Sequence, residues 1–272
     1  MILSKIKRQL TAYDYRSYRV AKRLSVESNL TNLLADCQGK TVFCIGAGPS
    51  LDHIDLTAIR DSTVFLLNSS VKLKESFDIS NGFYWVVTDV YRFWEIVDSV
   101  PMGIKKILIP HRFCRLRGLQ DVWKADDILI KPPACFRRGR PGASSKSLPN
   151  IKPCYVSLGR STIQRDVRSG AGFRLLPATV MLNAMALGAS LDATQVVALG
   201  FDVTGSKGEN HVNPYARGAH PGRASGGLNQ KIIFEYLERL KVDCDREGVG
   251  LFNWSPLTEE RILDSYHPEY RA

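Results

Sequence analysis

The chain has 272 residues, 44% hydrophobic and 24% charged. That is enough for one large α/β domain or two small ones, and it is the composition of a globular rather than a disordered protein. No apolar run is long enough to span a bilayer, and the N-terminus MILSKIKRQL lacks the apolar core and cleavage site of a signal peptide; the expectation is a cytoplasmic protein. The net charge of +10 is unevenly placed: residues 103–175 hold 16 Lys/Arg against 4 Asp/Glu, and the rest of the chain is slightly acidic. A local positive field of this kind concentrates phosphates, acidic sugars, nucleic acid or an anionic membrane surface. Six cysteines (Cys37, Cys44, Cys114, Cys135, Cys154, Cys244) form no CxxC pair and no zinc-like spacing, so they read as reduced thiols.

In chain order, residues 1–38 read as helix. Ile2, Leu3, Ile6, Leu10 and Tyr13 fall near one face, and Lys5, Lys7, Arg8, Arg16, Arg19, Lys22 and Arg23 face only Asp14 among the first 24 residues. Such a segment suits peripheral contact with an anionic membrane, or packing against the domain. Strands follow at TVFCIG (41–46), STVFLLN (62–68), FYWVVTD (83–89) and KKILIP (105–110), with a helix over VYRFWEIVDSV after the third. A helix over LLPATVMLNAMALGA precedes a fifth strand, TQVVALGFD (194–202); a long helix over 228–248 leads to a last strand, VGLFNWS. Short apolar runs alternating with amphipathic helices predict an α/β, Rossmann-like domain over 41–272, with a mostly parallel sheet and helices on both faces. Two stretches lack periodicity: the basic insertion 111–172 and the loop 203–227, the latter built almost wholly of turn formers. Both follow strands, where ligands bind in open α/β sheets, and loops of this length read as lids or binding loops.

TVFCIGAGPSLDHIDL (41–56) is a strand entering a glycine turn and then a helix. Gly46 and Gly48 let the backbone turn and approach a ligand closely, and Pro49 and Ser50 open a helix whose free N–H groups favour a phosphate. A dinucleotide fits poorly. Its fingerprint calls for a third Gly where Leu51 stands and for an acid after the second strand, where Asn68 stands. The P-loop pattern is absent too.

CIGAGPSLDHID, VFLLNSS, YWVVTD and VVALGFDVTG, in this order, resemble the bacterial sialyltransferases of glycosyltransferase family 42 and related bacterial sugar-cluster proteins. Those proteins carry a Gly-Asn-Gly-Pro-Ser-Leu turn, an Asn after the second strand and a later Gly-x-Asp. The turn also resembles that of archaeal-type 6-hydroxymethylpterin diphosphokinases. The likeness covers about residues 40–110 and 170–255; the basic stretch between has no counterpart. It implies that Gly46, Ala47, Gly48, Pro49, Ser50 and Asn68 hold a cytidine nucleotide, with Ala47 standing where the family has an Asn and so lacking one donor amide. It also implies a metal-independent enzyme in which a histidine takes the acceptor proton while tyrosines and basic groups neutralise the leaving phosphate. The family's base lies between the Gly-x-Asp strand and the following long helix, which selects His220, with His211 as the alternative; Tyr215 and Arg217 in the same loop would stabilise the phosphate.

Sugar transfer needs a base for the acceptor hydroxyl and stabilisation of the leaving group, and histidine titrates in the right range. The other histidines are His53 in the first crossover, His111 after the fourth strand and His267 in the tail. Arg137, Arg138 and Arg140 in FRRGRPG present forked donors for an acidic substrate such as sialic acid or Kdo. Asp89 and Asp202 end strands on one side, placed for ribose or sugar hydroxyls. The expected protein is therefore a glycosyltransferase using a CMP-linked donor, with no metal or other cofactor, a glycan or glycolipid acceptor as in lipopolysaccharide or capsule biosynthesis, and no nucleic-acid partner; a homo-oligomer is compatible with it. Two other readings remain open. One is a diphosphokinase-like enzyme with ATP and Mg²⁺ held by Asp89 and Asp202. The other is a polyanion binder stacking bases on Phe113, Trp123 and Phe136.

Overall fold

The structure, a computed structural model, describes residues 30–59, 61–76, 82–110, 116, 118–130, 160–169, 172–177, 179–202, 227–256, 258 and 260–268. Its strands are β1 (Thr41–Ile45), β2 (Thr63–Leu67), β3 (Phe83–Val87), β4 (Lys105–Leu108), β5 (Ile128–Leu129), β6 (Gln195–Leu199), β7 (Gly250–Trp254) and β8 (Asp264–Ser265). They form one sheet in the order β5-β4-β3-β2-β1-β6-β7-β8. Every neighbouring pair is parallel. The α-helices are α1 (Leu30–Cys37), α2 (Val90–Ile96), α3 (Val180–Ser190) and α4 (Gly227–Glu247). This is a Rossmann-like α/β fold, as the alternation of the sequence predicts.

A parallel sheet covered on both faces needs apolar side chains in both directions, so its strands read as unbroken hydrophobic runs. TVFLL and FYWVV are buried at every position. Val42, Cys44, Phe65, Tyr84, Val86 and Val196 pack on one face with residues of α1, α3 and α4. Phe43, Ile45, Leu66, Trp85, Val87 and Leu199 pack on the other with Leu51, Val71, Phe93 and Trp94. Helix α3 is buried at ten of its eleven positions. Small residues bring it down onto the sheet: a Cβ at Gly188 would lie 3.3 Å from Val196 and 3.4 Å from Val42.

The two faces are covered differently. The first face is covered mainly by the α-helices α1, α3 and α4, with one 3₁₀ turn at Arg165–Ser169 packed beside them. On the opposite face, among the described residues, α2 is the one α-helix, and the crossovers from β1 and β2 are 3₁₀ turns at Pro49–His53, Leu56–Ile59 and Asn68–Ser76. The helix expected after the glycine turn is thus a five-residue 3₁₀ helix. It ends at Ile54, which is extended (φ −115, ψ 128); Asp55 then opens a separate turn, its Oδ1 accepting from Thr57 N at 3.0 Å and Thr57 Oγ1 at 2.7 Å.

Within the basic insertion, residues 116 and 118–130 are ordered against the sheet, and Ile128–Leu129 extend it as β5. A buried ion pair fixes this addition. Lys106 Nζ lies 2.7 Å from Asp127 Oδ2, with both side chains at most 4% exposed. Asp127 also accepts from the backbone N–H groups of Lys106 and Lys124. Elsewhere, Asp243 of α4 is 1% exposed and accepts from Thr162 N and Oγ1, tying residues 160–169 to that helix. Arg165 and Arg168 pair with Asp192, which lies outside the basic segment, so part of the local basic excess is neutralised inside the fold. Of the helix expected over 1–38, Leu30–Cys37 is present as α1 and the remainder lies outside the described residues. Among the described residues, no helix is long and apolar enough to cross a membrane.

Candidate functional site

Strand order locates the site. From β1 the chain moves outward to β5, then returns to place β6 against the other side of β1. The carboxyl ends of β1 and β6 form the topological switch point, where open α/β sheets bind ligands. The register sets Ile45 opposite Leu199, so the glycines that follow, Gly46 and Gly200, lie side by side.

The turn residues are explained first by what they touch. Gly46 N donates to Leu199 O at 2.8 Å and Gly48 N to Gly200 O at 3.1 Å. A Cβ on Gly46 would lie 2.7 Å from Gly200 O, and one on Gly48 would lie 2.6 Å from that oxygen and overlap the Asp202 carboxylate. Gly200 has φ +60, and its Cβ would meet Leu51 Cγ at 2.9 Å. Residues other than glycine would push the two strand-end loops apart. Ser50 is fully buried. Its N–H donates to Asp202 Oδ2 at 2.8 Å and its hydroxyl donates to Asp202 Oδ1. The N–H group expected to receive a phosphate is therefore already engaged by an internal carboxylate. Gly46, Ala47 and Gly48 are half-buried and Pro49 is exposed, so the turn lies at the surface of the switch point.

The same kind of bond continues along the strand ends. Ser70, 1% exposed, accepts from Leu67 N and donates to Ile45 O, both at 2.7 Å, which joins β2 to β1. Trp85 Nε1 donates to Asn68 O at 2.9 Å, which joins β3 to β2. Beyond β6, Phe201 N donates to Ser255 Oγ at 2.9 Å, and Thr258 Oγ1 donates to Phe201 O at 3.3 Å. A hydrogen-bonded seam thus runs across the ends of β3, β2, β1, β6 and β7. Ser70, Ser255 and the Ser50–Asp202 pairing were not anticipated from the sequence. Their signal is a small polar residue directly after an apolar strand, in LLNSS and FNWS.

The predicted nucleotide-binding residues converge only in part. Gly46, Ala47, Gly48, Pro49, Ser50 and Asp202 meet at the switch point, and Asn68 stands at the next strand end. Asn68 is half-buried with φ +51, a left-handed conformation that Asn tolerates. Asp89 is exposed at the end of β3 and caps α2, accepting from Tyr91 N at 2.8 Å. β3 and β6 are separated by β2 and β1, about 14 Å at ordinary strand spacing. Asp89 and Asp202 are therefore too far apart to share one Mg²⁺, whose ligand bonds are about 2 Å. Trp123, proposed as a base-stacking residue, is half-buried and packs against the core. His53 and His267 are exposed. His111, His211, Tyr215, Arg217, His220, Arg137, Arg138, Arg140, Phe113 and Phe136 lie outside the described residues.

Cys37, Cys44 and Cys244 are buried and free. Burial raises all three thiols, Cys244 to about 12, which leaves them inert core groups rather than nucleophiles.

Fold and switch point together define a Rossmann-like α/β protein with a candidate ligand site at the β1/β6 strand ends. Compared with protein-family models, curated proteins and solved structures, the chain finds no match.

Proposed function

We propose that this protein is a metal-independent glycosyltransferase that moves an acidic sugar, of the sialic acid or Kdo type, from a CMP-linked donor to a hydroxyl of a cell-surface glycan or glycolipid. The observation that carries the reading is convergence. The glycine turn and the Gly-Phe-Asp strand end lie 152 residues apart in the chain, at Ser50 and Asp202, yet are in direct contact at the switch point. Asn68 flanks them at the end of β2.

In the reaction the acceptor oxygen attacks the anomeric carbon, the bond from that carbon to the CMP phosphate breaks, and the acceptor proton passes to a histidine, His220 or His211. Tyr215 and Arg217 stabilise the departing phosphate, and Arg137, Arg138 and Arg140 receive the acidic substrate. The donor nucleotide is a substrate, and no further cofactor is required. The basic N-terminal segment would hold the enzyme at the inner face of the membrane, close to its acceptor.

A thermal-shift screen of CMP, CMP-sugars, UDP-sugars and ATP, with and without Mg²⁺, tests this. Stabilisation by CMP compounds without metal is the expected result. A response to ATP with Mg²⁺ alone would overturn it in favour of a phosphotransferase. Binding only to long polyanions, falling steeply with salt, would favour the non-enzymatic reading.

A further inference from the structure

We propose that Asp202 recognises vicinal hydroxyls of the ligand, the ribose diol of a nucleotide, at the β1/β6 strand ends. This rests on the nucleotide reading above and assigns the orientation in which the nucleotide lies.

A phosphate set into the turn would need the Ser50 N–H and the space left by the missing Gly48 side chain. Asp202 takes both. Its Oδ2 accepts from Ser50 N at 2.8 Å, its Oδ1 accepts from Ser50 Oγ, and a Cβ on Gly48 would overlap the same carboxylate. A ligand anion arriving there would meet the Asp202 carboxylate, and the Ser50 N–H is already engaged by it. None of the ion pairs among the described residues neutralises Asp202.

Hydroxyls suit the position for the same reasons that phosphate does not. An ionised carboxylate accepts only, through about four lone-pair sites. Ser50 uses two, and Asp202 is half-buried rather than sealed, so acceptor capacity remains for O–H donors from solvent or ligand. Two adjacent hydroxyls match two carboxylate oxygens, as charge-assisted bonds. The acceptor is also held in place. The preceding residue, Phe201, is bound through its N–H by Ser255 and through its carbonyl by Thr258, so little ordering is required on binding. The phosphate is thereby directed away from the turn, to basic groups elsewhere in the chain.

The test compares CMP with 2′,3′-dideoxy-CMP by isothermal titration, on the wild-type chain and on Asp202→Asn. An asparagine keeps the shape: its carbonyl accepts from Ser50 N, and its amide donates to Ser50 Oγ. The wild type is expected to bind the dideoxy compound about tenfold more weakly or worse, and Asp202→Asn is expected to bind the two nearly alike. Equal affinity of the wild type for both compounds would overturn the proposal while leaving the nucleotide reading intact. Full discrimination retained in Asp202→Asn would overturn it too. If wild-type chain binds neither compound, both this proposal and the CMP reading fall. The wild-type comparison decides the matter even if the variant does not fold.

Discussion

The two edges of the sheet are held by different chemistry. At the amino edge, charged side chains are engaged by opposite charges or, for Asp36, by a phenol. Asp192 pairs with Arg165 and Arg168, Arg165 also reaches Glu247 at 3.2 Å, and Tyr84 donates to Asp36 at 2.5 Å. At the carboxyl edge the stitches are serine and threonine hydroxyls, an indole N–H, backbone groups and one carboxylate, and that carboxylate is bound by Ser50 rather than by any described cation. An edge whose charges cancel internally serves packing. An edge that leaves a half-buried acid at a switch point, unpaired by any cation among the described residues, retains the means to recognise a ligand.

Glycine substitutions should separate the edges most sharply. Gly48→Ala drives a Cβ into Asp202 and the Gly200 carbonyl, and is expected to lower unfolding stability in urea by about 3 kcal/mol or more. Gly39→Ala at the amino edge has φ +70 but nothing within 4 Å of the new Cβ, so only the left-handed backbone is penalised, by about 1 kcal/mol. Similar losses at both positions would contradict a contact-driven turn.

Ser70→Ala tests the seam away from Asp202. It strips partners from Leu67 N and Ile45 O at a site 1% exposed. The expected loss is about 2 kcal/mol, read from the shift of the denaturation midpoint.

Alkaline pH should act on the amino edge. Burial, followed by the Asp36 hydrogen bond, raises Tyr84 above its ordinary value. Burial likewise raises Cys37 at the end of α1. The folded state therefore keeps protons that the unfolded chain releases above the ordinary thiol and phenol values of about 8.5 and 10. Their contribution is complete below pH 8 and is lost progressively as pH rises above those ordinary values towards the raised folded-state ones. Urea midpoints measured between pH 7 and pH 11 should fall, with the buried thiols of Cys44 and Cys244 adding to the loss, and Tyr84→Phe should make the decline above pH 10 shallower. A flat profile in the wild type would refute the assignment.

The smallest effect is expected at Asp192→Asn. Asparagine tolerates the φ of +63 at this position, and Arg168 is 38% exposed, so the loss should stay below about 1 kcal/mol. It should shrink further in 0.5 M salt, on the order expected for screened surface pairs; a salt-independent loss would mean that Asp192 acts through its backbone instead.

Much of the scaffold was legible because burial on both faces writes itself into the strands. TVFCI, TVFLL and FYWVV are recognisable without neighbours, and α4 shows its apolar stripe through Ile233, Leu237, Leu240 and Cys244. β5 was not legible. Two residues carry no period, and the reason they pair is a lysine on β4 meeting Asp127 in the core. The helix expected after β1 is present as a short 3₁₀ helix, since Pro49 suits the first turn of either helix type, and the Asp55–Thr57 contact starts a separate turn beyond it.

The glycine turn shows where the division falls. Local sequence marked residues 46–50 as the break after a strand, with Pro49 suited to open a helix; the glycines themselves are required by close approach to Gly200 and Asp202, since Gly48 has ordinary extended torsions. Sequence also determined that Asn68 and Asp202 follow strands, and it supplied the resemblance on which the nucleotide proposal rests. Only the tertiary structure decided which groups the turn faces. Contact between Gly48, Ser50, Gly200 and Asp202 depends on β6 returning to lie beside β1, and an adjacency between residues 152 positions apart has no local signature. That adjacency changes the chemistry of the turn, because a carboxylate now fills the place that its glycines and free N–H groups had appeared to reserve for a phosphate.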